Sequence, residues 1–164
     1  MKKLIFVRHG KAEDPAPGIS DFERSLTSKG KIVSHQMAKK LKETEKSSIT
    51  IITSPAFRAF ETAIIFAGEL GIDSEKVCVN SNIYFKMNLR HLNSIASGVK
   101  EKGDTIVLVG HNPSFSEIAD SLSAEGCDIM PKSGVVCISF KVSSWADIKQ
   151  NTGKIEYYFK PEKN

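Results

Sequence analysis

The sequence has no apolar run approaching the length of a bilayer span, which excludes a membrane-spanning helix. Its N-terminal apolar stretch stops at Arg8-His9, with no longer hydrophobic region and no small-residue cleavage site after it. It therefore reads as a first strand and not as a secretory signal. There are only three cysteines, Cys78, Cys127 and Cys137, and no CxxC pair. That count excludes a disulfide framework and fits free, buried thiols in a reducing cytoplasm, the expected location. No GxxxxGK[ST] run is present, which excludes a P-loop. Low-complexity tracts and internal repeats are also lacking. Charge of one sign is scarce: the net value is only +4, with lysines dispersed among acids and no aromatic-rich basic stripe. Such a surface suits an anionic small partner, and neither nucleic acid nor membrane is expected as a partner.

What is present is ordinary globular usage, 40% hydrophobic and 26% charged over 164 residues, enough for a single domain spanning residues 1–164. Lys3–Val7 reads as a buried strand. Thr27 reads as a helix N-cap, followed by Val33, Met37 and Leu41 at i, i+4 spacing. Ile49–Thr53 is a β-branched run and so a second strand. A helix is expected from Pro55 to about Leu70, with Gly71 at its C′ position. Lys76–Asn80 is expected as a short strand, residues 86–100 as a weaker helix, Thr105–Val109 as the clearest buried strand and Pro113 to about Ser123 as a further helix. Val135–Val142 and Ile155–Phe159 complete the set, joined by a polar loop. Alternating strands and helices define an α/β class with a mainly parallel sheet, and the last two strands form an antiparallel edge. The stretch Gly10–Leu26, between the first strand and the first helix, is long for a connection and starts at Arg8-His9, which favours a functional loop.

Three polar clusters fall where strands end: Val7-Arg8-His9-Gly10, Thr53-Ser54-Pro55 with Arg58, and Val109-Gly110-His111-Asn112-Pro113. Any one of them means little, and His35 and His91 read as structural or exposed. All three together lie at the carboxyl edge of a parallel sheet, where ligands bind in such folds. Ser54-Pro55 and Asn112-Pro113 are expected as N-cap and N1 pairs, whose helix ends add partial positive charge. A crevice holding Arg8, Arg58, two histidines and little negative charge suits a compact polyanion, above all phosphate. Arginine forks bind it through paired charge-assisted bonds of roughly 1.5–3 kcal/mol each.

These motifs, Arg8-His9-Gly10, Ser54-Pro55 with Arg58-Ala59 and Thr62-Ala63, and Gly110-His111-Asn112-Pro113, resemble those of the histidine phosphatase superfamily over nearly the whole chain. Among its branches the chain most resembles the short single-domain phosphohistidine phosphatases of SixA type. Asp21, Arg24 and Leu26 match the segment before their first helix, with Ser25 where a proline is usual. The resemblance implies the phosphoglycerate mutase-like fold, a three-layer α/β/α sandwich, and catalysis through a phosphohistidine formed on His9. It implies Arg8, Arg58 and His111 as further catalytic residues, with His111 a hydrogen-bond donor and an imidazolium candidate. Gly10, Arg24, Ser54 and Asn112 are the expected substrate-binding residues. No cofactor and no metal are expected.

Relatives commonly carry a glutamate after the third strand as general acid, a contribution of about 10² to 10⁴ in rate. Here residues Lys76–Lys100 contain no Asp or Glu. A leaving group that departs easily, the imidazole of phosphohistidine, is then favoured. With no large insertion to cap the crevice, a phosphorylated protein domain is the expected partner. Glu13, Asp14 and Asp21 remain as loop carboxylates that would instead favour a phosphomonoesterase acting on a small phosphorylated substrate. A phosphate-binding module without turnover is the reading from a different class.

Overall fold

A computed structural model of the chain describes residues 1–99 and 103–163. Its centre is a six-stranded sheet of β1 (Lys2–Arg8), β2 (Ile49–Thr53), β3 (Cys78–Val79), β4 (Thr105–Gly110), β5 (Val135–Phe140) and β6 (Lys154–Phe159), in spatial order β3-β2-β4-β1-β5-β6. The first four strands are mutually parallel, whereas β5 is antiparallel to β1, and β6 to β5.

Helices cover both faces. Successive residues of a strand point to opposite sides, and the core divides accordingly. Leu4, Phe6, Ile106, Leu108, Val136 and Ile138 face one side, packed by α3 (Leu89–Ser97) and α4 (Ser114–Leu122). Ile5, Val7, Val107, Val109, Val135 and Cys137 face the other, packed by α1 (Ser28–Thr44) and α2 (Phe57–Leu70). The three-layer α/β/α arrangement follows from strands that are apolar on both faces. Among the described residues, no helix is long and apolar enough to cross a membrane.

Several boundaries differ from those expected. Thr27 does cap α1, its hydroxyl accepting from the Gly30 amide at 2.9 Å. The helix expected from Pro55 begins at Phe57, because the Ser54 hydroxyl accepts from the Ala56 amide and closes a turn first. Ser54-Pro55 is thus not the N-cap and N1 pair. The same holds at α4, where Pro113 is the N-cap; Asn112 still accepts from the Ser116 amide at 3.3 Å. The strand expected over Lys76–Asn80 contracts to two residues, since Asp73 and Asn80 each cap a one-turn 3-10 helix beside it. The weaker helix expected over residues 86–100 spans Leu89–Ser97, and residue 100 lies outside the described residues. The polar stretch before β6 carries Trp145 and Ile148 into the α3/α4 core. Of the three free cysteines only Cys137 is buried, and Cys78 is exposed.

Candidate active site

Strand register assembles the site. Arg8 is opposite Gly110 in the β1/β4 pair, and Thr53 opposite Val109 in the β2/β4 pair. The residues that follow, His9, Ser54 and His111, therefore emerge side by side at one edge of the sheet. Because β5 runs the other way, the loop leading into it arrives at the same edge and brings Lys132. The crevice, of about 280 Å³, is lined by Arg8, His9, Ala12, Asp14, Arg24, Arg58, His111, Asn112 and Lys132. A larger cavity of about 500 Å³ lies at the opposite end of β2, between the last turns of α1 and α2. Among the described residues its lining includes no histidine, whereas the smaller crevice holds both strand-end histidines.

His9 is buried, and its Nδ1 lies 2.7 Å from the Gly10 carbonyl. A carbonyl only accepts, so Nδ1 carries the proton and Nε2 keeps its lone pair. That lone pair accepts from Arg58 Nε at 3.3 Å. Burial, reinforced by His111, Arg58 and Arg8, pushes the His9 pKa down to about 3, against the opposing bond to Gly10. The ring is neutral at physiological pH. Desolvation leads this effect, ahead of the positive charges nearby.

His111 lies with its ring centre 5.1 Å from that of His9. Its Nε2 is 2.8 Å from the Ser54 hydroxyl, which already accepts from Ala56. When the hydroxyl donates its proton to Nε2, the proton of His111 sits on Nδ1. That nitrogen is buried and without a partner, a donor awaiting an acceptor. Burial and the nearby Arg58 push the His111 pKa down to about 4. With the crevice free of an anion, His111 is therefore neutral.

Arg8 is anchored by Nη1 to the Met130 carbonyl at 2.9 Å, while its buried Nε has no partner. Asn112 binds the same carbonyl through Nδ2 at 3.0 Å. Arg58 spends Nη1 on the Asp21 carbonyl at 2.8 Å and Nη2 on the Asp21 carboxylate at 3.1 Å. Arg24 meets the same carboxylate through Nε and Nη2, and Tyr84 donates to it at 2.8 Å. Arg24, Tyr84 and Arg58 together hold the Asp21 carboxyl well below the usual carboxylate range. Asp21 is thus an ionised anion beside a crevice in which the sequence suggested little negative charge.

Two of the expected binding residues stand behind the crevice. The Gly10 amide is taken by the Thr62 hydroxyl at 3.1 Å. A side chain at Gly10 would come within 2.7 Å of Ser34 Oγ and 3.0 Å of the Gly30 carbonyl, so glycine permits α1 to close in. Ser54 is fully buried and serves His111. Neither lines the space an anion would fill. Arg8, His9, Arg24, Arg58, His111 and Asn112 do. Lys132 was missed; the one available signal was that the loop before an antiparallel strand reaches the carboxyl edge. His35 pairs with Glu69, and His91 sits in the capping box of α3, both away from the crevice. Among the described residues, no group of three or more His, Cys, Asp or Glu is placed to hold a metal ion.

Comparison with known proteins follows the same lines. The family model of the histidine phosphatase superfamily (branch 1) matches residues 4–77, which include Arg8, His9, Ser54 and Arg58. An uncharacterized protein of Picosynechococcus sp. is 32% identical over 123 residues, covering 74% of this chain and 73% of that protein. Two solved structures share the fold. The protein histidine phosphatase SixA complexed with tungstate superposes with a TM-score of 0.79 at 20% identity, over 97% of each chain. A mycobacterial glucosyl-3-phosphoglycerate phosphatase gives 0.66 at 14% identity, over 94% of this chain and 97% of its own.

Proposed function

The chain belongs to the histidine phosphatase superfamily and is a phosphatase, and from that premise we propose that its substrate is phosphohistidine displayed on a protein, hydrolysed through a phosphoryl group carried on His9. The observation that carries this reading is the state of the His9 ring: neutral, with its Nδ1 proton held by Gly10 and its Nε2 lone pair directed at Arg58.

In the first step the entering phosphoryl group displaces Arg58 from Nε2. The His9 nitrogen attacks phosphorus, the bond from phosphorus to the substrate imidazole breaks, and that imidazole takes a proton from solvent. Water then attacks the His9 phosphoramidate, releasing phosphate and restoring the neutral ring. Phosphoryl transfer rests on positioning and charge stabilisation. Arg8, Arg24, Arg58 and Lys132 surround the non-bridging oxygens in this reading, and the unpartnered Nδ1–H of His111 donates to one of them. Asn112 holds the Met130 carbonyl and thereby the anchor of Arg8.

The preference for a P–N bond is supported by the acid inventory. Residues Lys76–Lys100 supply no carboxyl, and Asp21 is held ionised by its three partners. Without a proton donor, a good leaving group gains most. Among the described residues, Asp14 is the one carboxylate that lines the crevice. It favours a second reading, hydrolysis of a small phosphate ester, the class of compound named for the mycobacterial fold relative.

Brief exposure to radiolabelled phosphoramidate tests the reaction. Acid-labile, alkali-stable label on His9, absent from His9→Ala, is the expected result. Label elsewhere, or none with turnover intact, overturns the reaction class. Comparing kcat/KM for phosphohistidine with that for p-nitrophenyl phosphate and sugar phosphates tests the substrate. Esters preferred by orders of magnitude, with the preference lost in Asp14→Asn, would give the second reading the field.

A further inference from the structure

Some of the chain's largest apolar side chains lie outside the core and close to the crevice. Tyr84 packs edge-on to His111, with ring centres 5.6 Å apart. Phe22 and Phe85 lie edge-on to Tyr84 at 5.3 and 5.4 Å, and Phe57 follows Phe22 at 5.9 Å. Phe22 is 36%, Phe57 43% and Phe85 66% exposed. The edge-on contacts hold these rings in place, yet much of their surface remains in water. An exposed apolar cluster of this kind beside a polar crevice marks an interaction surface.

The other flank is built alike. Ile129, 80% exposed, directly precedes Met130, whose carbonyl anchors Arg8 and Asn112. Tyr84 and Phe85 follow β3, and Ile129 precedes β5. In the order β3-β2-β4-β1-β5, these strands flank the three that carry the site. Asp128 beside Ile129 is paired with Lys160 at 3.4 Å, and basic residues follow from Lys132. Lys132 lines both the crevice and an adjoining groove that also holds Lys11, Lys29 and Glu162. Among the described residues none of these three lysines forms an ion pair.

We propose that this face docks an acidic protein domain that presents the phosphohistidine, with Phe22, Phe57 and Phe85 gripping one flank and Ile129 and the lysines the other. The proposal rests on the phosphohistidine reading and adds where the partner binds and of what charge it is. Continuity with the crevice and unpaired positive charge select the occupant. A small ester would reach none of the aromatic rings beyond Tyr84. Large aromatic side chains in a docking face carry binding energy out of proportion to their number, while the lysines steer approach.

The test uses a small acidic phosphotransfer domain phosphorylated on histidine with phosphoramidate, beside free phosphohistidine. Phe85→Ser and Ile129→Ser are made separately, since both residues are exposed and outside the catalytic set, and their unfolding temperatures are compared with wild type. Each variant is expected to lose about tenfold in kcat/KM on the phosphorylated domain, through KM, a loss equivalent to about 1.4 kcal/mol. Free phosphohistidine should be turned over as by wild type. Salt at roughly 0.5 M should slow the protein reaction more than that of free phosphohistidine. Equal losses on both substrates, or none on either, overturn the docking face while the substrate reading stands. Wild-type failure on both forms of phosphohistidine instead removes the substrate reading, and the docking face with it.

Discussion

Asp21 and Arg58, 37 positions apart, are joined twice: Arg58 Nη1 reaches the Asp21 carbonyl at 2.8 Å and Nη2 its carboxylate at 3.1 Å. The loop residue thereby aims the guanidinium so that Nε reaches His9 Nε2. Asp21 also engages Arg24 and Tyr84, so one exposed carboxylate organises two of the cations on which an anion would settle.

That arrangement sets Asp21 in competition with phosphate. Asp21→Asn keeps an acceptor of similar shape and removes the charge. The inhibition constant for inorganic phosphate should fall roughly three- to tenfold, the modest size reflecting a solvent-screened carboxylate. Product-inhibition kinetics read this directly, and a rise in the constant would contradict it.

Ser54→Ala removes the hydroxyl that fixes the His111 tautomer. A ring nitrogen then loses its partner in a buried setting, at a cost of about 1–3 kcal/mol in stability. Turnover should fall about tenfold or more, because the Nδ1 proton is no longer held in place. Ser54→Thr, which restores the hydroxyl, should recover part of the rate; equal losses in both variants would assign Ser54 to packing alone.

Gly30→Ala should loosen the functional loop from α1. A side chain there would collide with the Lys11 carbonyl, which accepts from the Thr27 amide at 2.9 Å. Backbone on both sides leaves little room to relax, so destabilisation of roughly 1–3 kcal/mol is expected. Urea denaturation measures it, and an unchanged midpoint would show the loop to be more yielding than its contacts suggest.

The two site histidines should resist protonation. Their pKa values of about 3 and about 4 lie below the ordinary histidine value near 6.5 that the unfolded chain has. The unfolded state thus binds more protons between those limits, and stability should fall as pH drops from about 6.5 toward 4. Ring signals of His9 and His111 in an NMR titration should stay in the neutral form down to about pH 5. Bound vanadate should raise the His111 midpoint by adding negative charge, and a midpoint near 6.5 in the free enzyme would show the rings to be solvated.

Much of this was legible in the linear chain. Apolar runs at Lys3–Val7, Ile49–Thr53 and Thr105–Val109 specify strands buried on both faces, because they are short and rich in β-branched residues. Alternation with helices then makes the sheet parallel, and polar residues at three strand ends converge on one edge. The chain by itself therefore determined the fold class and brought Arg8, His9, Arg58 and His111 into one crevice. Other features depended on distances between segments remote in sequence, which local pattern does not encode. Tertiary structure alone decided that Asp21 would tie Arg58 and Arg24, that Gly10 and Ser54 would stand behind the crevice, and that Lys132 would enter it. It also decided the protonation of both histidines, since burial, the main cause of their low pKa values, is a property of packing and not of neighbours along the chain.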